Sequence, residues 1–255
     1  MKPCLRYKLL TTILFLIFIV ALDLDGCLSN QDGLLSPEST SEIHGTVAFY
    51  HFDETSGSTA IDSSGNGFNG TIFGATRVSG KVGQALQFSS AGSRVEIPAL
   101  GNVFQNQEIT VDAWIYPTTL DPGSIYEIVS PSNVGLAPFG FQINDGKVEF
   151  LLFDNGGISQ TMIKSTASLS LNIWTYVAVT FNGSDARIYI DGSLDSTSSV
   201  AFAIQRDDNI LYVGTLPNFP GIYLNEFQGQ IDELRISNVV LSDTQIADYY
   251  QQTNL

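Results

Sequence analysis

Short runs of β-branched and aromatic residues recur from position 44 onward, and turn-forming residues separate them. In the run EITVDAWIYP, the apolar residues Ile109, Val111, Ala113 and Ile115 occupy every second position. A period of two is the pattern of a half-buried strand. Such runs return at intervals of about 8–12 residues, which indicates a β-sandwich or jelly roll and argues against a parallel α/β sheet. The sequence therefore predicts an all-β fold.

Two dipeptides in this region predict β-hairpins. Asn182-Gly183 lies between WTYVAVTF and ARIYIDG, and Asp145-Gly146 divides FGFQINDGKVEFLLF. Both central residues of the favoured two-residue hairpin turn need positive φ, which Asn, Asp and Gly tolerate best. Antiparallel pairing of the flanking strands is therefore expected at both places.

Only the C-terminal tail carries a helical pattern. Ser242 and Gln245 have the spacing of a capping box. Ile246, Tyr249 and Tyr250 then follow at the spacing that places residues on one helical face. The tail is predicted to be a short helix that packs against the sheets.

Residues 1–26 have the pattern of an export signal. Lys2, Arg6 and Lys8 form a basic start, and an unbroken apolar run follows from Ile13 to Leu22. This run is shorter than the approximately 20 residues that a membrane-spanning helix needs. An uncleaved N-terminal anchor is the alternative, because no Ala-x-Ala cleavage site follows the run.

Cys27 is a candidate lipidation site. Leu24-Asp25-Gly26-Cys27 resembles the lipobox of bacterial lipoproteins, in which the cysteine is acylated and becomes the first mature residue. A free thiol or an intermolecular disulfide is the alternative for this cysteine. Residues 27–43 are polar and without periodicity, which predicts a flexible tether. Residues 44–255 are expected to form one domain.

The formal net charge of −15 limits the partners of this chain. Binding to nucleic acid depends on Lys and Arg that release counterions from phosphates, so nucleic acid is excluded as a partner. An anionic membrane is excluded for the same reason, apart from contact through the N-terminal anchor or signal segment. Acidic residues can, however, supply ligands to a hard cation.

The stretch GNGFNG has the spacing G-x-G-x-x-G of dinucleotide-binding loops, but its context does not fit. Such a loop follows a strand and opens a helix, and neither flank of this stretch has that pattern. A calcium loop fits better: Asp62, Ser64 and Asn66 are spaced at every second residue, Gly67 follows, and the carbonyl of Phe68 can take the next position. The alternative is a turn in which Asp62 and Asn66 bond their own backbone.

Five blocks along the chain follow one another in a recognisable order. They are VAFYHFDETSGSTAIDSSGNGFNG, GKVGQALQF, ITVDAWIYP, WTYVAVTFNGSDARIYIDG and FQGQIDELRISNVVLSDTQIADYY. This order closely resembles the laminin G-like domains of the concanavalin A-like lectin and glucanase superfamily, in the type common in bacterial surface proteins. The resemblance implies a two-sheet antiparallel jelly-roll sandwich, here with a short C-terminal helix, in which the first and last strands are adjacent.

The resemblance also bears on the ligands. Members of this superfamily bind carbohydrates, proteins or calcium, or accompany enzymes. The implied fold places Asp232 on a terminal strand beside the early segment, so Asp232 is a candidate to complete a calcium shell with Asp62. Glu233, Asp53 and Glu54 are further candidates.

Because the superfamily includes glucanases, catalysis has to be tested. Retaining glycosidases need two carboxyl groups about 5–5.5 Å apart. On one strand this requires acidic residues on the same face, and Asp232 and Glu233, as successive residues, are expected to point to opposite faces. No H-E-x-x-H, C-x-x-C or G-x-S-x-G motif occurs either. The sequence therefore predicts that the protein is not an enzyme.

Aromatic residues in loop-like stretches are candidates for sugar contact. Tyr126, Phe219 and Tyr223 lie in or near such stretches, and their alternative role is ordinary packing. Trp114 and Trp174 are expected in the core, since an aromatic within an apolar run usually packs inside. The sequence thus predicts an exported binding module at the cell envelope or secreted, with a glycan or a surface protein as its partner. Carbohydrate binding with a structural calcium ion is favoured, and a protein-interaction, adhesion or structural surface domain is the alternative.

The calcium hypothesis has a direct thermodynamic test. A ligand that binds only the native state at 100 times its dissociation constant adds about 2.7 kcal/mol to the free energy of unfolding. Calcium added to demonstrably metal-free protein is therefore expected to raise the thermal midpoint measured by calorimetry, and a chelator should reverse the rise. The absence of any shift would refute a structural calcium ion.

Overall fold

The computed structural model describes residues 44–131, 138–154, 160–204, 209–219 and 221–254. Within these residues the chain forms 18 β-strands and one α-helix, and all strand pairs within the two large sheets are antiparallel. The export signal, the lipidation of Cys27 and the tether predicted for residues 1–43 lie outside the described residues.

Two large sheets form the sandwich. Sheet A contains, in spatial order, β14 (Ser193–Ser199), β13 (Asp185–Ile190), β12 (Thr175–Phe181), β7 (Ile109–Pro117), β18 (Gly229–Ser237), β5 (Gln84–Phe88) and β4 (Thr76–Ser79), and β1 (Thr46–Tyr50) also pairs with β18. Sheet B contains β11 (Gln160–Lys164), β10 (Lys147–Phe153), β9 (Phe139–Asn144), β8 (Ile125–Pro131), β15 (Leu211–Val213), β6 (Arg94–Ile97), β3 (Gly70–Phe73) and β2 (Thr59–Ala60). A separate hairpin is formed by β16 (Leu216–Phe219) and β17 (Ile222–Leu224). The predicted antiparallel jelly-roll sandwich is confirmed.

The main core lies between the two sheets. Alternate residues of each strand point into it, among them Phe88 and Phe181 from sheet A and Phe141 and Phe150 from sheet B, all fully buried. Because side chains alternate across a strand, the residues between these point to the outer face of each sheet. The residues that face away from the main core therefore form the two outer faces of the sandwich.

The predicted hairpin turns form, but not in the same way. Asp145 and Gly146 have φ of 54° and 71°, which confirms the expected turn between β9 and β10. At the other hairpin only Gly183 has positive φ. There the side-chain oxygen of Asn182 accepts hydrogen bonds from the backbone N–H of Ser184 (3.0 Å) and Asp185 (2.7 Å). A side-chain bond thus replaces the second positive φ.

Strand β18, the last strand in the chain, pairs with two strands from the first part of the domain. Its first residues, Gly229–Ile231, pair with β5, and its last residues, Leu234–Ser237, pair with β1. The expected adjacency of the first and last strands is therefore confirmed. At the change of partner the register shifts, and Glu233 has φ of 52°. The extra residue of a β-bulge re-aims side chains.

This bulge overturns the expectation that Asp232 and Glu233 point to opposite faces. Asp232 pairs with Trp114 on the outer face of sheet A. Glu233 accepts a hydrogen bond of 2.5 Å from the hydroxyl of Tyr249, which belongs to the helix on that same face. Both carboxyl groups therefore lie on the helix side of the sheet.

Helix α1 (Asp243–Thr253) covers part of the outer face of sheet A. The side chain of Ser242 accepts a hydrogen bond from the backbone of Gln245, and the reciprocal bond is present, so the capping box is confirmed. Ile246 packs with Trp114 and Tyr176 beneath the helix. For this reason β7 is almost fully buried on both faces and not half-buried as its alternation suggested. In the described part of the chain, no helix is long and apolar enough to cross a bilayer.

A buried ion pair lies under α1. The guanidinium of Arg235 donates to Asp112 through Nε (3.0 Å) and NH2 (2.8 Å), and the Tyr176 hydroxyl donates to the same carboxylate (2.8 Å). The Tyr249 ring lies 4.2 Å from the guanidinium. Because both charges are almost completely buried, each depends on the other for its stability.

Loss of one partner of this pair should be strongly destabilising. Replacing Arg235 with Leu leaves the Asp112 carboxylate buried without its cation, so we expect the free energy of unfolding to fall by about 3–5 kcal/mol. Chemical denaturation measures this directly. The double variant Asp112→Leu/Arg235→Met should recover most of the loss, because no charge is then buried. A single variant as stable as the unmodified protein would contradict the interpretation.

Candidate functional site

A row of polar side chains crosses the outer face of sheet B. Glu127 on β8 pairs with Gln142 on β9, which pairs in turn with Glu149 on β10. Residues that are directly opposite in neighbouring strands lie on the same face, so the three side chains are neighbours. They are 3–7% exposed. Half-buried Asn144 and Tyr212 lie on the same face, opposite Ile125 and Ser130 of β8.

Hydrogen bonds hold this row in place. Glu149 accepts from the side-chain amides of Gln142 and of Asn144, the latter at 3.0 Å. Glu127 accepts from the side-chain amide of Asn225 at 3.1 Å, and its backbone N–H donates to the Asn225 carbonyl at 2.8 Å. We refer to Glu127, Gln142, Asn144 and Glu149 together as the sheet B row. Its side chains form a pre-ordered set of carboxylate and amide groups.

The two carboxyl groups of the row have different electrostatic surroundings. Burial is the main cause that raises the pKa of Glu127 to about 7; the Asn225 hydrogen bond opposes this rise, and the nearby charge of Glu149 contributes to it. Glu127 is therefore close to half protonated at neutral pH. In that condition its carboxyl group can act as a hydrogen-bond donor or as an acceptor.

An aromatic and basic cluster lies on the same face, on β3, β6 and the β16–β17 hairpin. The Arg94 guanidinium lies 4.0 Å from the centre of the Phe73 ring and 4.3 Å from that of Tyr223. It also donates to the carboxylate of Glu96 at 2.8 Å. Tyr223, one of the predicted ligand residues, thus stacks on the guanidinium of Arg94, and both side chains are half-buried.

The other predicted ligand aromatics are placed differently. Tyr126 is the second residue of β8 and not a loop residue; its ring is buried in the main core, and its hydroxyl donates to Asp121 at 3.3 Å. Phe219 ends β16. The expectation of a core position is met by Trp114, which is 1% exposed, whereas Trp174 is only half-buried because it precedes β12 at the margin of the helix-covered area. A ligand role of Tyr126, Phe219 and Tyr223 stays a prediction.

The predicted calcium loop is a turn bonded to the first strand. One carboxylate oxygen of Asp62 accepts from the backbone N–H of Phe49 (3.0 Å) and Ser64 (2.9 Å), and the other accepts from Phe68 (2.9 Å). The Ser64 hydroxyl donates to the Val47 carbonyl at 2.9 Å. Burial alone would raise the pKa of Asp62, but these hydrogen bonds outweigh it and hold the pKa below its ordinary value.

The remaining predicted calcium ligands also have protein partners. The Asn66 amide donates to the carbonyls of Thr46 and Val47, and the carbonyl of Phe68 accepts from the Tyr50 hydroxyl. Asp232 accepts from the backbone N–H of residues 81 and 82 with one oxygen, at 2.9 Å each. Among the described residues, no group of three or more His, Cys, Asp or Glu side chains is close enough to hold a metal ion. Calcium binding stays a prediction.

Sequence reasoning missed the sheet B row because it searched for acidic residues along one strand. Glu127 and Glu149 are separated by 22 positions in the chain and meet only through the register of three strands. The available signal was the polar pair Gln142 and Asn144, at alternate positions of the strand FGFQIN, whose other large side chains are apolar. Without the register of β8, β9 and β10, that signal does not show which residues lie beside Gln142.

The fold and this polar face define the class of protein: a jelly-roll β-sandwich that carries a hydrogen-bonded polar row on the outer face of one sheet. A family model of the concanavalin A-like lectin/glucanases superfamily, Laminin_G_3, matches residues 89–247. Since that match covers more than half of the chain, the protein belongs to this family. A search of curated proteins finds no match.

Solved structures share the fold at low sequence identity. The binding domain of Paraclostridial Mosquitocidal Protein 1 superposes with a TM-score of 0.67 at 17% identity and covers 82% of this chain and 52% of its own. Domain 4 of AbnA, an extracellular arabinanase from Geobacillus stearothermophilus solved with arabinotriose, gives 0.62 at 20% identity and covers 81% of this chain and 98% of its own. The binding domain of botulinum neurotoxin DC in complex with SialylT gives 0.66 at 16% identity, with 84% and 52% covered. The chain thus spans about half the length of the toxin binding domains, and at these identities the likeness establishes the fold alone.

The raised pKa of Glu127 has a consequence for stability. Between its ordinary value of 4.5 and about 7, the folded protein holds a proton on Glu127 that the unfolded chain releases. The contribution of Glu127 to the free energy of unfolding therefore falls as pH rises through this window, and stays low above it. Glu127→Gln, which cannot ionise, should gain on the order of 3 kcal/mol relative to the unmodified protein between pH 5 and pH 8. Urea denaturation across this range measures the difference, and parallel stability curves would contradict it.

Proposed function

We propose that this protein is a non-catalytic carbohydrate-binding module, and that the outer face of sheet B is its binding face. The observation that carries the proposal is the sheet B row, in which two carboxyl groups and two amides are fixed across three strands. Planar carboxylates and amides hydrogen-bond the hydroxyl groups of sugars. The half-buried Asn144 amide is the most accessible group of the row, and Glu149 holds it in place. Because the protein already holds these groups in place, little conformational entropy is lost when a ligand binds.

The charge of the face favours neutral glycans. Glu127 and Glu149 contribute acidic groups to it, and the chain carries a formal net charge of −15. An acidic sugar would have to approach against this charge. Arabinotriose in the arabinanase domain is a neutral glycan on the same fold, which supports the proposal.

The surroundings of the carboxyl groups support binding over hydrolysis. A general acid must reach the glycosidic oxygen, and the second carboxyl group must reach the sugar or an attacking water. Here Glu127 is held by Asn225, Glu149 is held by two amides, and both are at most 5% exposed. These hydrogen bonds fix both carboxyl groups, so neither can move towards a glycosidic bond during a reaction.

A protein partner is the second candidate. Ile222 and Leu224 on β17 are 49% and 41% exposed, and Phe73 nearby on sheet B is 37% exposed. Exposed apolar side chains of this kind are typical of protein-interaction surfaces. We further propose, from the sequence, that the module is exported and held at the envelope by lipid on Cys27, with a calcium ion at the Asp62 loop as a stabilising ligand.

The proposed function is tested by glycan binding and by one substitution in the row. The full chain, purified in a non-glycosidic detergent, is applied to an array of neutral and acidic glycans, and hits are measured by calorimetry. Gln142→Ala removes the central amide and should raise the dissociation constant by about tenfold or more, because a hydrogen bond near charged groups is worth about 1.5–3 kcal/mol. The matched control Gln105→Ala, on an exposed loop residue, should bind normally.

Three results would contradict the proposal. Absence of binding to any glycan would refute carbohydrate recognition, and equal affinity of Gln142→Ala would refute the sheet B face. Release of reducing sugar from a bound glycan would refute the non-catalytic assignment.

A further inference from the structure

A second row of side chains crosses the outer face of sheet A. Gln230 on β18 pairs with Gln87 on β5 on one side and with Tyr116 on β7 on the other. Trp174 immediately precedes Thr175, which pairs with Ile115, so it adjoins Tyr116. The Tyr116 and Trp174 rings are 5.5 Å apart and inclined at 53°. Two amides and two aromatic rings therefore lie side by side across three strands and the residue that precedes β12; we call Gln87, Gln230, Tyr116 and Trp174 the sheet A row.

The sheet A row remains accessible beside the helix. Helix α1 buries Trp114 and Tyr176, whereas all four residues of the sheet A row are only half-buried. Beside the rings, Leu171 and Ile173 are 48% and 55% exposed. The row thus borders the helix-covered cluster, and each of its side chains keeps part of its surface exposed.

One amide oxygen of the row lacks a partner. Among the described residues, Oε1 of Gln230 is buried and accepts no hydrogen bond, and neither does Oδ1 of Asp232, two residues further along the same face. The Asp232 side chain is completely buried. A buried acceptor without a donor costs about 1–3 kcal/mol, so natural proteins rarely retain one without a reason. The Gln230 oxygen lies next to the aromatic pair and points to a ligand that supplies a donor, whereas Asp232 pairs with the buried Trp114.

We infer that the sheet A row is a second glycan-binding site, which takes a neutral sugar ring on the Tyr116–Trp174 pair. The inference rests on the proposed function, since it assigns the same class of ligand to the opposite sheet. The apolar face of a sugar ring packs on aromatic rings, and its hydroxyl groups are the donors that the Gln230 oxygen lacks. Because the Gln230 side chain as a whole is only half-buried, rotation of its amide group brings this oxygen to the ligand. A purely apolar partner would leave this oxygen unsatisfied, which favours a sugar over an apolar protein segment.

The two sites would make the domain bivalent. They lie on the outer faces of two sheets that pack about 10 Å apart, so the body of the sandwich separates them. A short oligosaccharide bound at one site does not reach the other. A polysaccharide, or two chains of it, can occupy both, and simultaneous occupation strengthens binding through a raised effective concentration.

Tryptophan fluorescence reports on this site directly. The chain has two tryptophans, and Trp114 is 1% exposed while Trp174 is half-buried within the row. The full chain in non-glycosidic detergent is titrated with a short neutral oligosaccharide that binds on the array. We expect a saturable change in emission that is lost in Trp174→Phe, and two sites per chain by calorimetry. Trp174→Ala and Gln142→Ala should each leave one site.

Gln230→Leu separates binding from folding. It removes the unpartnered oxygen without a large change in shape, so the protein should unfold at the same temperature or higher. Its affinity at the sheet A row should fall by about tenfold or more, which corresponds to one lost hydrogen bond to the ligand. Gln105→Leu, the same exchange at an exposed residue outside the row, serves as the matched control and should retain binding.

The outcomes distinguish this inference from the proposed function. One site per chain that is abolished by Gln142→Ala and unaffected by Trp174→Ala and Gln230→Leu would overturn the second site and leave the function intact. A Trp174-dependent complex with a protein but with no glycan would overturn the sugar assignment. Two sites that respond separately to the two sets of variants would support both.

Discussion

The buried ion pair between Arg235 and Asp112 is the interaction on which the rest of this sandwich depends. It joins the two central strands of sheet A, β18 and β7, and the ring of Tyr249 brings helix α1 against it. Strand β18 also pairs with β1, the first strand of the domain, and with β5. A charge pair with two fixed hydrogen bonds specifies the register of these strands more sharply than apolar contact does.

The helix that covers this pair also decides which parts of sheet A remain open. Trp114 and Tyr176 lie under α1, and Trp114 donates to the hydroxyl of Thr253 at the end of the helix (2.9 Å). Tyr116 and Trp174, one step further along the same strands, lie beyond it and stay half-buried. The extent of the helix therefore determines which outward-facing residues of sheet A are buried and which remain partly exposed. Among the described residues no helix covers sheet B, and there the outward-facing polar residues form the sheet B row.

The sequence predicted local structure well and the candidate site poorly. The Asp145-Gly146 turn and the capping box at Ser242 depend on residues close together in the chain, and both are confirmed. The contact of Glu127, Gln142 and Glu149 depends on the register of three strands, which periodicity does not give. A bulge adds a further limit, because one extra residue reverses the face of every side chain after it. The periodicity of the sequence was thus enough to predict the fold class, whereas prediction of the site would have required knowledge of which strands pair and in what register.

The two outer faces differ in how they would recognise a sugar. On sheet B the groups are hydrogen-bonded to one another, and the carboxyl group of Glu127, with a pKa of about 7, exchanges donor and acceptor roles near neutral pH. A sugar hydroxyl is also both a donor and an acceptor, so the sheet B row can hydrogen-bond a glycan in more than one orientation. On sheet A the Tyr116 and Trp174 rings provide an apolar surface for stacking, and the side-chain oxygen of Gln230 is an acceptor without a donor. Directional bonding on one face and stacking on the other would let one small sandwich hold a neutral polymer from both sides.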